Sequence, residues 1–79
     1  MHEQRLLGEL IRAIRAERKL TQMELAALLG TTQSTISKLE SGELELGFSF
    51  ALRICAATDT DPAQFVKRYQ DLVHRLGKA

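Results

Sequence analysis

The sequence has little of what most functional chemistries require. Its 79 residues include one cysteine, one proline, no tryptophan and only 5% aromatic residues. A single cysteine, Cys55, forms no internal disulfide, which excludes the disulfide-stapled scaffolds of secreted proteins and is expected of a chain in a reducing compartment. His2 and His74 stand at opposite ends, with no metal-ligand spacing between them. No glycine-rich phosphate loop and no nucleophile paired with a base occur, so no enzyme, no cofactor and no metal site is expected. Charge of one sign is missing too. Eleven basic residues against ten acidic ones leave a net charge of +1. Bulk attraction therefore does not draw the chain to a polyanion, and any such affinity has to come from where charges and donors lie. Nor is there a long hydrophobic run: Glu3, Arg5, Glu9 and Arg12 interrupt the first stretch, so neither a secretory leader nor a membrane span is expected, and the chain is expected to stay in the cytoplasm.

What is present is an ordinary globular composition, 44% hydrophobic and 27% charged, on a chain sized for one domain spanning residues 1–79. Such a chain buries only about 60–65% of the surface it exposes when unfolded, so its stability has to come from efficient packing or from a partner subunit. Apolar residues recur every three and four positions as Leu6, Leu7, Leu10, Ile11 and Ile14, which predicts a first helix from Glu3 to Arg18. Thr21-Gln22-Met23-Glu24 has the form of a capping box, flanked by Leu20 and Leu25 as a hydrophobic staple. It opens a helix of about eight residues through Leu25, Ala26, Leu28 and Leu29 that ends at Gly30. Thr32 caps a third short helix with Ile36, Leu39 and Glu40 inward, closed by Ser41-Gly42. A fourth helix is expected from Phe48 to Ala57, its core phase running through Phe48, Ala51 and Cys55 with Leu52 and Ile54. Asp61 as N-cap, Pro62 at the first helical position and Gln64 at the third then start a fifth helix, which carries Phe65, Val66, Tyr69, Leu72, Val73 and Leu76. No segment alternates with the period of two that marks a half-buried strand, so the domain is expected to be all-α with five helices.

The informative stretch is Gln22 to Leu39, two short helices joined by a tight turn. Helices crossing at about 90–120° across such a turn need a small residue where the backbones approach and a glycine where φ is positive. Ala26 and Gly30 fill those places, with Leu25, Leu29, Ile36 and Leu39 closing the corner from inside. The block TQMELAALLGTTQSTISKLESG closely resembles the helix-turn-helix of the phage-repressor (Cro/C1, or XRE) family of DNA-binding domains. The resemblance extends from IRAIRAERKLTQ to FALRICAATDTDPAQF, nearly the whole chain. It implies a compact lambda-repressor-like domain whose third helix enters the major groove of double-stranded DNA.

With Ile36, Leu39 and Glu40 inward, the residues free to meet base edges are Gln33, Ser34, Ser37 and Lys38, with the Thr32 methyl beside a thymine methyl. Gln33 suits adenine and Lys38 suits guanine, while the serines serve several bases. The resemblance assigns backbone contacts to Gln22, at the N-terminus of the second helix, and to Arg15, paired with Glu40; Thr35 joins them as a backbone contact. Independent surface charges are the other reading of Arg15 and Glu40. Two departures stand out. Glu43 and Glu45 occupy a loop where many relatives carry Lys or Arg, which weakens the phosphate term. Thr58-Asp59 replaces the Leu-Gly common in relatives, so a looser or differently packed turn is expected there.

Phe65, Tyr69, Leu72 and Leu76 step like a seam between helices. The stripe either packs wholly onto the monomer core or continues into a homodimer contact made by helix 62–76, with Leu46 and Phe50 as further subunit-contact candidates. Two functions follow. One is a transcriptional regulator, a repressor reading a pseudo-palindromic operator as a homodimer, its recognition helices about 34 Å apart. The other is an antitoxin-like or partner-regulated interaction module that holds another protein, such as a toxin.

Overall fold

The computed structural model describes residues 2–76 as five helices: α1 His2–Glu17, α2 Gln22–Leu29, α3 Gln33–Ser41, α4 Phe48–Ala57 and α5 Pro62–Leu76. Among the described residues there is no strand, and no helix is long and apolar enough to cross a membrane. Leu10, Ile11 and Ile14 of α1 meet Leu25, Ala26 and Leu29 of α2, Ile36 and Leu39 of α3, Ile54 and Cys55 of α4 and Phe65 of α5 in one core. The helix α1 lies against α3 where Gly8 is buried. A Cβ there would sit 2.4 Å from the carbonyl oxygen of Glu40 and 2.5 Å from that of Leu39.

The helix starts are built locally. Thr21 Oγ1 accepts from the Glu24 amide at 3.0 Å while Glu24 Oε1 accepts from the Thr21 amide at 2.8 Å, so both halves of the capping box form. Thr32 Oγ1 accepts from the Thr35 amide at 3.2 Å, and Asp61 Oδ1 from the Ala63 amide at 2.9 Å. The helix ends share one device. At Lys19, Gly30, Gly42 and Asp59 the backbone turns left-handed. In each case the next amide reaches back five residues, as in Leu20 to Arg15, Thr31 to Ala26, Glu43 to Lys38 and Thr60 to Cys55. These are Schellman motifs, which satisfy carbonyls that a helix end otherwise leaves unpaired. Two of the four lack glycine. Lys19 has φ 58° with its side chain exposed, and a left-handed L-residue carries a penalty of roughly 1–2 kcal/mol. Lys19→Gly is therefore expected to raise stability by about 0.5–1 kcal/mol, after the entropy of an unfolded glycine is set against the relief. A thermal melt followed by circular dichroism tests this, and an unchanged or lower midpoint would refute it.

Of the two expectations for the turn before α5, looser or differently packed, the looser one does not hold. Thr58 is buried, its hydroxyl donates to the Ile54 carbonyl at 2.7 Å, and Asp59 takes the left-handed position at φ 53°. Arg18 closes it from α1, donating to the Thr58 and Asp59 carbonyls at 2.6 and 2.9 Å.

The apolar faces of α2, α4 and α5 also differ from the sequence reading. Leu28, Phe48 and Val66 are 58%, 78% and 50% exposed, and Leu52 is exposed as well. Leu46 and Phe50, candidates for a subunit contact, pack half-buried against the core. The helix α4 turns Phe50, Ala51, Ile54, Cys55 and Thr58 inward, which leaves Phe48 and Leu52, one turn apart, along its outer edge. Arg53 holds this phase, placing its guanidinium 5.3 Å above the Phe50 ring and donating to the Leu29 carbonyl at the end of α2. On α5, Phe65 is buried and Tyr69 and Leu72 pack against the core, whereas Leu76 is exposed. A bidentate pair between Arg68 and Glu17, at 3.0 and 2.7 Å, ties α5 to α1. The hydrogen bonds from Arg68 hold the Glu17 carboxyl below its ordinary range, but both groups lie at the surface, where such pairs contribute little.

Candidate nucleic-acid interface

The turn between α2 and α3 leaves one side of α3 uncovered. Thr32, Gln33, Ser34, Ser37 and Lys38 are exposed, Thr35 is half-buried, and Ile36, Leu39 and Glu40 are buried. The Thr32 hydroxyl is occupied, accepting from the Thr35 amide and lying 3.0 Å from the Thr35 hydroxyl. The inward and outward phases of the sequence reading thus match the arrangement of the helix. Ala26 is buried at the corner, and Gly30 turns the chain at φ 69°.

Behind α3 lies a connected set of polar side chains. Arg15 Nε and Nη2 donate to the two Glu40 carboxylate oxygens at 2.6 and 3.0 Å, and Nη1 donates to the Leu20 carbonyl at 2.8 Å. The Arg15 and Glu40 side chains are only 15% and 4% exposed. The pair is a packed strut between α1 and α3, and hydrogen bonding to Glu40 raises the Arg15 pKa. Gln22 Nε2 donates to Glu40 Oε1 at 3.0 Å, and Gln33 Nε2 donates to Gln22 Oε1 at 3.4 Å. A hydrogen-bonded line therefore runs from α1 through α3 and the start of α2 to the first residue of α3. The sequence reading held the Arg15–Glu40 pair but not the two glutamine links. A signal for them existed, since Gln22 and Gln33 each sit just after a capping threonine, but only the crossing of α2 and α3 brings the two caps together.

The loop that follows α3 is acidic and exposed at Glu43 and Glu45. Glu43 accepts from the Ser41 hydroxyl at 3.0 Å, and the Leu46 amide donates to Gln4 of α1 at 3.1 Å. Among the described residues no group of His, Cys, Asp and Glu could hold a metal ion. The side chain of His2 lies outside them. Cys55 is buried, and burial followed by the charge of Asp61 pushes its thiol pKa up, which makes it unreactive. On the other side, Phe48, Leu52, Val66, Ala63, Leu7 and Cys55 line an apolar groove of about 420 Å³ between α4 and α5.

Comparison with known proteins agrees with this arrangement. The sequence profile described as Helix-turn-helix matches residues 11–65. An uncharacterized HTH-type transcriptional regulator, y4dL of Sinorhizobium fredii, is 39% identical over 66 residues, covering 84% of this chain and 34% of the relative. The chain therefore spans about a third of that relative's length. Among solved structures, the clp gene regulator ClgR of C. glutamicum superposes with a TM-score of 0.81 at 25% identity, over 87% of this chain and 88% of that one. The restriction-modification controller protein C.AhdI of Aeromonas hydrophila gives 0.77 at 25% identity, over 82% and 98%. A point mutant of the controller protein C.Esp1396I gives 0.89 over 95% and 100%, and at 19% identity that likeness is one of fold.

Proposed function

Since this chain belongs to the helix-turn-helix family of Cro/C1 (XRE) type, a family of DNA-binding domains and not of enzymes, we propose that it is a sequence-specific transcriptional regulator, a repressor that binds a pseudo-palindromic operator as a homodimer. The observation that carries this reading is the line Arg15–Glu40–Gln22–Gln33, because it steadies an exposed carboxamide at the tip of α3. Gln33 keeps a carbonyl oxygen to accept from the N6 amino group of an adenine and a second amide hydrogen to donate to its N7 in the major groove. Ser34, Ser37 and Lys38 flank it on the same exposed side. Gln22, at the N-terminus of α2, suits a phosphate oxygen. Arg15 and Thr35 reach the backbone with what their internal bonds leave free, and Ala26, Gly30, Ile36 and Leu39 hold the corner.

Few base-reading residues and a nearly neutral chain favour two-fold engagement, since each half-site alone binds weakly. The exposed apolar edge Phe48, Leu52 and Val66 supports the α4–α5 groove as the subunit contact. Tyr69 and Leu72 serve mainly the monomer core, leaving Leu76 as the exposed end of the stripe. The same groove supports the second reading, a protein partner such as a toxin, and the mass of the purified chain in solution separates the two: a dimer favours a second copy, a monomer a foreign partner. Action in the cytoplasm, on the DNA there, fits either reading.

A selection of oligonucleotides from a random pool tests the main reading. A palindrome with half-sites one turn apart is expected, and Gln33→Ala is expected to weaken binding to it by about 1–3 kcal/mol, roughly 5- to 150-fold, while relaxing preference at one position. Ser34→Ala, Ser37→Ala and Lys38→Ala act in the same direction. If all four folded variants bind as the parent does, the assignment of α3 as the reading helix is wrong.

A further inference from the structure

A polar cleft of about 260 Å³ opens between α1, the start of α2 and the second half of α3, lined by Arg12, Arg15, Gln22, Ser37, Glu40 and Ser41. Three of those six, Arg15, Gln22 and Ser37, already belong to the proposed interface, so the cleft borders the face that meets DNA. Its charges divide clearly. Arg15 is bound to the Glu40 carboxylate and to the Leu20 carbonyl, and its charge is offset by that of Glu40. Arg12, nearly one turn earlier on α1, is exposed and has no hydrogen bond or ion pair among the described residues. With one carboxylate against two guanidinium groups, the net positive charge of the cleft rests on Arg12.

Donors around it point to one chemistry. Gln22 uses one amide hydrogen on Glu40 and keeps the other, and the Ser37 hydroxyl has no internal partner among the described residues. The Ser41 hydroxyl is already committed to the Lys38 carbonyl and Glu43. A guanidinium beside an amide and a hydroxyl is a set of donors for an oxyanion, and a phosphodiester is the anion that lines the edge of a major groove. The loop following α3 offers no competing cradle, because Glu43 and Glu45 would repel a phosphate there.

We propose that Arg12, with the Gln22 amide and the Ser37 hydroxyl, clamps a backbone phosphate of the DNA on the α1 side of α3, moving to the first helix the phosphate charge that the acidic loop lacks. The inference rests on the DNA-binding reading above and adds a residue to it. A phosphate contact carries no sequence information and releases counterions, which gives it a signature distinct from base reading.

Binding of the parent, Arg12→Gln and Arg12→Lys to the selected operator and to a random duplex, measured by fluorescence anisotropy across salt concentrations, tests it. Arg12→Gln is expected to reduce the slope of log affinity against log salt by about 0.9 per bound protomer, so that its deficit shrinks by about 3- to 4-fold per protomer between roughly 50 and 200 mM salt. The loss is expected to be equal on both duplexes, and Arg12→Lys is expected to retain the slope. Circular dichroism melts confirm that the variants fold. A parental slope in Arg12→Gln, or a loss confined to the operator, overturns the clamp alone. A parent that binds neither duplex at low salt overturns the DNA-binding reading and the clamp together.

Discussion

Gly8→Ala is expected to destabilise the protein by about 3 kcal/mol, the upper end of what overpacking usually costs. The sign is what makes the measurement informative. In an exposed helix interior, alanine in place of glycine stabilises by roughly 0.5–1 kcal/mol through propensity alone. Gly8 is buried, however, and an added Cβ would lie 2.4 and 2.5 Å from two backbone oxygens of α3. Backbone cannot swing aside as a side chain can, so α1 and α3 must separate, and the core contacts of Leu10, Ile11, Ile36 and Leu39 loosen with them. For a domain of this size such a loss lowers the melting midpoint by roughly 12–24 °C. Urea unfolding followed by circular dichroism is the check. A stability equal to or above that of the parent would mean that α1 does not approach α3 at this residue.

Glu40→Ala is expected to destabilise by about 3 kcal/mol, because it leaves the half-buried Arg15 guanidinium without its counter-charge. Arg15 is only 15% exposed, too enclosed for water to replace two carboxylate oxygens. The same substitution releases Gln22 Nε2 and with it the anchor of Gln33. Operator affinity should therefore fall even where enough folded protein remains to measure it. Glu40→Gln keeps one acceptor oxygen and is expected to lose less. A double-mutant cycle separates the pair from its surroundings: Arg15→Met with Glu40→Leu is expected to recover much of the stability, since packed apolar groups replace such a pair at little cost. Operator binding should not recover with it, because Gln22 then has no carboxylate to hold it. If Glu40→Ala melts like the parent, Arg15 and Glu40 are independent surface charges after all.

The helix starts, the tight corner and the exposed side of α3 were readable from residue types, because each depends on neighbours within four positions. Thr21 with Glu24, Thr32 with the Thr35 amide, and Asp61 with the Ala63 amide form wherever the chain around them folds. Gly30 and Gly42 announced their left-handed turns, since glycine alone takes that conformation without strain. Lys19 and Asp59 make the same turn unannounced, because neither residue type marks a left-handed position as glycine does. The face of α4 was misread for a related reason. Phe48, Phe50 and Leu52 are all apolar, and periodicity alone does not say which of two adjacent stripes meets the core.

By itself the chain's order of residues determined the five helices of the described residues, where they begin, and which side chains of the third are polar and outward, since those properties follow from hydrogen bonds and spacing within single turns. Tertiary structure alone decided that Gly8 must be glycine, that Phe48 faces outward while Phe50 packs inward, and that Arg12 shares a cleft with Gln22 and Ser37. The physical reason is the same for all three. Each depends on how closely, and at what rotation, one helix lies against another, and that is settled only when the whole core finds its closest packing.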